Sequence, residues 1–193
     1  MDKGRLEAFS DGVIAILITI MVLELRVPHE TDWRALGPLV PVLLSYVLSF
    51  VFLGIYWNNH HHMFQLVERI NGRIMWANLH LLFWLSLVPF VTTWMGENHA
   101  ASVPVAIYGV VLLMAGLAYT LLQTSIIAEQ GEHSPLSAAI GRDVKGKMSA
   151  AMYAVAVAAA FFHPWIAAAI YVGIAAAWLV PDRRIENQLP LAR

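Results

Sequence analysis

Cysteine is absent from the 193-residue sequence, which excludes disulfide bonds, thiolate metal sites and cysteine catalysis. Charge is scarce: Asp, Glu, Lys and Arg make up 13% of the residues, about half of the usual fraction in soluble domains. The formal net charge is −1 and there is no basic patch, so nucleic acid is not expected as a partner. The start MDKGRLEAFSDG is polar and no small-residue cleavage site follows the apolar run after it, which argues against a cleavable signal peptide.

The sequence is rich in long apolar stretches. Hydrophobic residues make up 59% of the chain and the mean hydropathy is +0.64, which is typical of an integral membrane protein. Charge-free runs predict an all-α membrane protein, with a single domain over residues 1–193 and six transmembrane helices. The predicted spans lie near residues 4–26, 37–60, 74–95, 103–127, 146–162 and 165–180.

The last two spans come from one long apolar run. Met148–Pro181 contains 34 residues, which would form a helix of about 51 Å, too long for one crossing. The segment FFHPW lies in its middle, and Pro164 disfavours helical geometry at His163. We therefore predict two short Ala-rich spans joined at Pro164.

The Lys and Arg residues indicate the orientation. Six spans place both termini on one side of the membrane, and ten of the 12 Lys and Arg residues then lie on that side. Only Arg26 and Arg34 lie on the other. Because cytoplasmic loops are enriched in Lys and Arg, both termini are predicted to be cytoplasmic. We expect a multi-pass protein of the plasma membrane, surrounded by the lipid bilayer.

The first predicted helix carries charges unusually close together. Between Asp11 and Glu24 lie 12 uncharged residues, which cover roughly 18 Å of a roughly 30 Å bilayer core. At about 100° per residue, one stripe with the spacing of a helix-packing seam contains Arg5, Phe9, Gly12, Ile16, Thr19, Leu23 and Arg26, with Ile20 at its edge. Ser10 and Asp11 lie on another side. On periodicity alone, the stripe indicates ordinary helix packing.

Asp11 needs a specific environment, because an ionisable group in a membrane helix normally faces the bundle interior or a wet cavity. Candidate partners near the ends of spans two and three are Trp57, Asn58, Asn59, His60, Asn78 and His80. The triplet His60–His62 does not predict a metal site, because successive helical residues point about 100° apart and cannot converge on one ion. One of the three is expected to face the bundle, and the sequence leaves open which.

These segments resemble those of a known family. RLEAFSDGVIAI, with its spacing of Arg5, Phe9, Ser10 and Asp11, is similar to the start of the first helix in the transmembrane protein 175 family. That family comprises endosomal and lysosomal potassium channels and their prokaryotic relatives. WNNHHHMFQ resembles its Trp-x-x-His segment, and WANLHLLFWLSLVPF resembles its third span. Over the second half of the chain the resemblance is limited to span number and length.

The resemblance implies a potassium-permeable cation channel of a prokaryotic plasma membrane, with no enzymatic activity and no cofactor besides the permeant potassium ion. The P-loop filter sequence T-V-G-Y-G is absent, as in a family without that filter. A single six-span unit implies a homotetramer. The implied pore-lining residues are Ile16, Thr19, Ile20 and Leu23, and the implied contacts between helices involve Arg5, Phe9, Ser10, Asp11, Trp57, His60 and Asn78.

All the implied pore-lining residues belong to the stripe or to its edge. Four copies around an axis would enclose a narrow apolar pore, in which rings of Ile16 and Leu23 gate by dewetting. Thr19 hydroxyls would replace part of an ion's hydration shell. The crowded charges would then be tolerated, because the helix lies inside an assembly and does not face lipid.

Three other functions are compatible with six apolar helices. A proton-coupled secondary transporter would use Asp11 and His60 as a relay, although such transporters often show internal repeats and broken midplane helices, which are not visible here. An intramembrane enzyme would need a motif such as G-x-S-x-G or H-E-x-x-H, and neither occurs. A structural or assembly protein also fits the sequence.

Overall fold

The chain is almost entirely helical. A computed structural model describes residues 2–131, 134–141 and 143–179, and this part of the chain contains helices and no strand. The helices are α1 (Lys3–Leu23), α2 (Val40–Gln65), α3 (Gly72–Ser86), α4 (Val88–Glu97), α5 (Ser102–Gln130), α6 (Pro135–Ile140), α7 (Val144–Ala160) and α8 (Pro164–Leu179). A 3₁₀ helix, Trp33–Leu39, leads into α2. The predicted all-α fold is confirmed.

Four stretches of the described chain are long and apolar enough to cross a membrane: α1, the 3₁₀ helix joined to α2, α3 joined to α4, and α5. α7 and α8 contain 17 and 16 residues, or about 26 and 24 Å of helix, slightly less than a bilayer core. They are separated just before Pro164, where the sequence predicts the break. These helices are those of a multi-pass membrane protein.

The first helix is shorter than predicted and ends at Leu23. Pro28 disfavours helical geometry at Val27, so the helix cannot continue through this segment. Arg26 therefore lies beyond α1, where its guanidinium group makes an exposed ion pair with Glu97 at 3.1 Å. The stripe on α1 accordingly ends at Leu23 and does not include Arg26.

The third predicted span consists of two helices, α3 and α4, separated at Leu87. Pro89 explains the interruption, because it has no N–H to donate to the preceding turn and its ring crowds that turn. The predicted linker Gly131–Gly141 also differs, since it contains the short helix α6. The hydroxyl of Ser134 caps that helix by accepting the N–H of Ser137 at 3.3 Å.

Several predictions concern residues outside the described ranges. The last predicted span ends at residue 180, one position beyond them. Four of the arginines on the predicted cytoplasmic side also lie outside: Arg142, Arg183, Arg184 and Arg193.

α5 is the centre of the fold and packs against α3 on one side and α7 on the other. Its side chains Tyr108 and Leu112 are completely buried. Gly109 has no room for a side chain, because the Tyr171 hydroxyl lies where its Cβ would be. This close approach lets Tyr171 donate to the Val105 carbonyl at 3.1 Å. In lipid, such tight packing and hydrogen bonding hold helices together.

Candidate functional site on the first helix

α1 has one buried and one exposed face. Its buried side chains recur every three or four residues and face a bundle of α2, α3 and α4. They are Leu6, Ser10, Ile14, Leu17 and Met21. The predicted stripe lies on the opposite face, where Ile16 is 57% exposed and Leu23 is 79% exposed. Thr19 and Ile20 are exposed as well, so a single chain leaves the stripe open to its surroundings.

A chain of hydrogen bonds joins the buried face of α1 to α3 and α2. Ser10 Oγ donates to the Leu6 carbonyl at 2.9 Å, and Asn78 Nδ2 donates to Ser10 Oγ at 2.8 Å. His60 Nε2 lies 2.8 Å from Asn78 Oδ1. The three polar side chains are fully buried, so three helices are connected by polar contacts in an otherwise apolar interior.

The order of donors and acceptors in this series of hydrogen bonds determines which ring nitrogen of His60 carries a proton. Because the Ser10 proton goes to its own helix, Ser10 must accept from the Asn78 amide nitrogen. The Asn78 carbonyl oxygen then faces His60, whose Nε2 must carry a proton and donate. His60 Nδ1 is buried without a hydrogen-bond partner among the described residues. The ring also stacks on Phe64, with centroids 4.3 Å apart, so its position is fixed by packing as well.

Asp11 has a separate partner. Trp57 Nε1 donates to its carboxylate at 3.1 Å, and the Trp57 ring stacks on His61 with centroids 6.1 Å apart. We call Ser10, Asp11, Trp57, His60 and Asn78 the polar network. An indole donor and an acidic acceptor form a charge-assisted hydrogen bond, which is stronger than a neutral one. The polar network therefore fixes the rotation of α1 about its own axis.

Local sequence features place these groups. Asn71 caps α3 by accepting the N–H of Ile74 at 2.9 Å, and Asn78 follows two turns later on the same face. The segment after Trp57 contains no Gly or Pro, so α2 continues as one helix to Gln65. That extension carries His60 to the level of Ser10.

Of the histidine triplet, His60 is the member that is fully buried in the bundle. His61 instead lies 3.1 Å from Glu7 on α1, and its other ring nitrogen lies 2.8 Å from Gln65 Nε2. Sequence reasoning missed this second contact between α1 and α2. The signal was present, because Trp57, His61 and Gln65 are four residues apart, as are Glu7 and Asp11.

Other predicted residues lie elsewhere. Arg5 and Phe9 are on the exposed face of α1 and do not join the polar network. Asn59 donates to the Ile55 carbonyl of its own helix at 2.8 Å. His80 accepts from Trp84 at 3.0 Å on α3. The structure therefore brings five of the predicted site residues together and leaves the stripe, with Arg5 and Phe9, outside that group.

The arrangement positions a helix and does not resemble a reaction centre. Each hydrogen bond of the polar network ends on a neighbouring helix or on backbone, with no nucleophile held against a base. Among the described residues, no three His, Asp or Glu side chains come together as metal ligands. What the polar network does is direct Ile16, Thr19 and Leu23 away from the rest of the chain.

Known proteins share this sequence and this fold. The model of the family described as endosomal/lysosomal potassium channel TMEM175 matches residues 5–89, which include the whole polar network. A potassium channel of a Chryseobacterium species is 54% identical over 189 residues, which cover 98% of each chain. Bovine endosomal/lysosomal proton channel TMEM175 is 27% identical over 170 residues, which cover 80% of this chain and 35% of that protein.

A solved structure has the same architecture. The crystal structure of a lysosomal potassium-selective channel TMEM175 homologue from Chamaesiphon minutus matches with a TM-score of 0.81 and 29% identity. The match covers 93% of this chain and 97% of that one. The shared fold therefore extends beyond the first half of the chain, to which the sequence motifs are confined.

Proposed function

Because this chain belongs to the TMEM175 family, we propose that it is a potassium-permeable cation channel whose pore is lined by the exposed stripe of α1. It is an ion channel and not an enzyme. The observation that carries the proposal is the identity of 54% to a potassium channel over 98% of both chains. The exposed stripe of α1 supplies the surface on which a pore can be built.

We place the pore along α1 because this helix has one face attached to the subunit and one face exposed. The polar network attaches one face to α2 and α3 through Asp11 and Ser10. The other face presents Ile16, Thr19 and Leu23 to the outside of the single chain. A second copy of this helix can cover that face, and four copies around an axis form a closed conduit. We therefore propose a homotetramer.

Rings of Ile16, Thr19 and Leu23 would follow one another along this conduit. Ile16 and Leu23 are seven residues apart, or about 10 Å along the helix, and Thr19 lies between them. Apolar rings of this kind gate by dewetting. Thr19 Oγ1 donates its proton to the Ile16 carbonyl of its own helix at 2.9 Å. Its lone pairs stay available to a partly dehydrated cation.

The proposed topology is six spans with both termini in the cytoplasm of the cell. α7 and α8 form the last two crossings, with Pro164 between them. Trp165, directly after this break, is 72% exposed, as expected for an indole at the membrane interface. This arrangement agrees with the distribution of Lys and Arg in the sequence.

A proton relay between Asp11 and His60 has less support. Their hydrogen bonds go to different side chains, Trp57 and Asn78, so the structure contains no direct Asp11–His60 contact that would pass a proton. A relay would have to include Trp57, whose indole N–H can donate but cannot accept. We therefore prefer the channel to the proton-coupled transporter.

Reconstitution in liposomes tests the proposal. Vesicles loaded with potassium should lose it faster with the protein than without it. Ile16→Asn should increase the flux, because a polar ring hydrates the constriction. Val155→Asn on α7, where the side chain is 60% exposed, is the matched control and should leave the flux unchanged. Potassium loss equal to that of empty vesicles, for both the wild type and Ile16→Asn, would refute the channel.

A further inference from the structure

A second site lies behind the polar network. A partly open cavity of about 70 Å³ is lined by residues of α2, α5, α7 and α8 and by Asp143 just before α7, and no described residue of α1 lines it. Its lining combines small, aliphatic and polar residues with five aromatic side chains: Phe52, Tyr56, Tyr119, Tyr153 and Trp178. Since about 10 to 15 Å³ of such volume holds one water molecule, the cavity has room for about five heavy atoms.

The lining of the cavity includes several polar side chains. Asn59 uses its Nδ2 for the Ile55 carbonyl, which leaves its Oδ1 as an acceptor. Gln123 is 8% exposed and Tyr153 is 5% exposed, and neither side chain hydrogen-bonds to another described residue. The amide and the hydroxyl line the cavity and would hydrogen-bond to a ligand inside it.

The mouth of the cavity carries a carboxylate. Asp143 caps α7 through Oδ1, which accepts the N–H of Gly146 at 3.2 Å, and the same side chain lines the cavity. Nearby, the Lys145 ammonium lies 4.4 Å from the centre of the Trp178 ring. Trp178 is held in place by donating to Ser149 Oγ at 2.9 Å. The Trp178 ring therefore interacts with an ammonium group, which the protein's own Lys145 supplies.

We propose that the cavity binds a small aliphatic ammonium ion. The alkyl chain would lie between the aromatic rings, whose faces attract positive charge. The ammonium group has three N–H donors and no acceptor, which suits the acceptors Asp143 and Asn59. A site that is mostly apolar with a few convergent polar groups is the usual form of a small-molecule site.

Occupancy of this cavity would be communicated to α1 through α2. Tyr56 and Asn59 line the cavity. In the same turn, Trp57 donates to Asp11 of α1, and His60 is linked to α1 through Asn78. A ligand that shifts or stiffens this turn changes the attachment of the pore helix. This second step rests on the proposed channel function, whereas the binding itself does not.

Binding is tested with n-butylammonium, which has five heavy atoms, and with n-butanol as its neutral control. Calorimetry on the full chain in detergent should give a dissociation constant on the order of 1 mM for the amine, as expected for a ligand of this size. The alcohol should bind at least about tenfold more weakly, because it lacks the charge. Equal affinity of the two compounds would refute a cation site.

Substitutions place the binding in the cavity. A side chain at Gly116 would extend toward the Tyr56 hydroxyl, which lies 3.8 Å from the ideal Cβ position. Gly116→Leu should therefore fill the cavity and abolish binding, whereas Gly116→Ala should retain it. Asp143→Asn should weaken binding about tenfold by removing the charge, while Asn still caps the helix. Gly173→Leu on α8, where a Cβ meets nothing within 4 Å, is the control for bulk.

Two outcomes separate the binding site from the channel. If the amine changes potassium flux in the wild type and not in Gly116→Leu, the cavity regulates the pore as proposed. If calorimetry still detects the amine in Gly116→Leu, or flux falls equally in both proteins, the amine acts elsewhere and the inference is wrong. Absence of flux without any amine would refute the channel function alone, because calorimetry would still report the site.

Discussion

Trp57 Nε1 lies 3.1 Å from the Asp11 carboxylate and donates a hydrogen bond to it from α2. Asp11 is next to Gly12, which belongs to the exposed stripe. The same contact that satisfies an intramembrane carboxylate therefore sets which side of α1 faces away from the subunit. Two of the acidic groups of this helix, Asp11 and Glu7, orient it through their contacts with Trp57 and His61 of α2.

Trp57→Phe should destabilise the protein and alter flux, because the aromatic ring remains while the donor to Asp11 is lost. A hydrogen bond to a charged group contributes about 1.5 to 3 kcal/mol, so the midpoint of thermal unfolding in detergent should fall measurably. Trp76→Phe is the control, since Trp76 is 74% exposed. Equal melting temperatures for the two variants would contradict a stabilising role of this contact.

Ser10 and Asn78 should be energetically coupled. Each substitution to Ala removes one partner of their 2.8 Å hydrogen bond, and residues in one network typically show coupling energies of about 0.5 to 3 kcal/mol. A double-mutant cycle of Ser10→Ala and Asn78→Ala, measured by chemical unfolding, gives this quantity. Strict additivity of the two substitutions would show that the contact contributes nothing to stability.

Much of this site could be predicted from the sequence, because intramembrane polar residues are few and must find one another. Ser10 and Asp11 needed donors, and Trp57, His60 and Asn78 were among the few available at a similar depth. Their pairing was not predictable, since it depends on the rotation of each helix. Helical periodicity alone does not specify that rotation when most neighbouring residues are apolar.

Local breaks were harder to predict than long helices. The break before Pro164 lies in the middle of a run too long for one crossing, so length and proline agree there. Pro89, in contrast, lies in an apolar run whose length suits a single span. The division of this run into α3 and α4 is therefore visible only in the structure. The helix α6 begins at the Ser134 cap, and its six residues are too few to produce a periodic signal.

Gly109→Ala should destabilise the fold, because the new Cβ would collide with the Tyr171 hydroxyl. Overpacking of this kind typically costs about 1 to 3 kcal/mol. Gly116→Ala on the same helix is the control, since its Cβ would lie 3.8 Å from the nearest side chain. Thermal unfolding should separate the two variants, and a Gly109→Ala protein as stable as the wild type would contradict the tight packing of α5 against α8.

Thr19→Val should reduce potassium flux by about tenfold, corresponding to about 1.4 kcal/mol. Valine keeps the shape of the side chain but removes the oxygen whose lone pairs are available to a cation. Thr124→Val is the control, because Thr124 is exposed on α5 and donates to its own helix at 3.0 Å. A flux assay in liposomes compares the two, and an unchanged rate in Thr19→Val would exclude Thr19 from the ion path.

Block of a single-cysteine channel by cadmium tests the central claim most directly. Because the sequence contains no native cysteine, the introduced thiol is the only one that cadmium can bind. If four copies of Thr19 face one axis, Thr19→Cys places thiolates in a ring that coordinates Cd²⁺. Potassium flux should then be blocked by cadmium and restored by a chelator, while Val155→Cys on α7 stays insensitive. Cadmium-insensitive flux through Thr19→Cys liposomes, with the thiols shown to be reduced, would contradict a pore lined by α1.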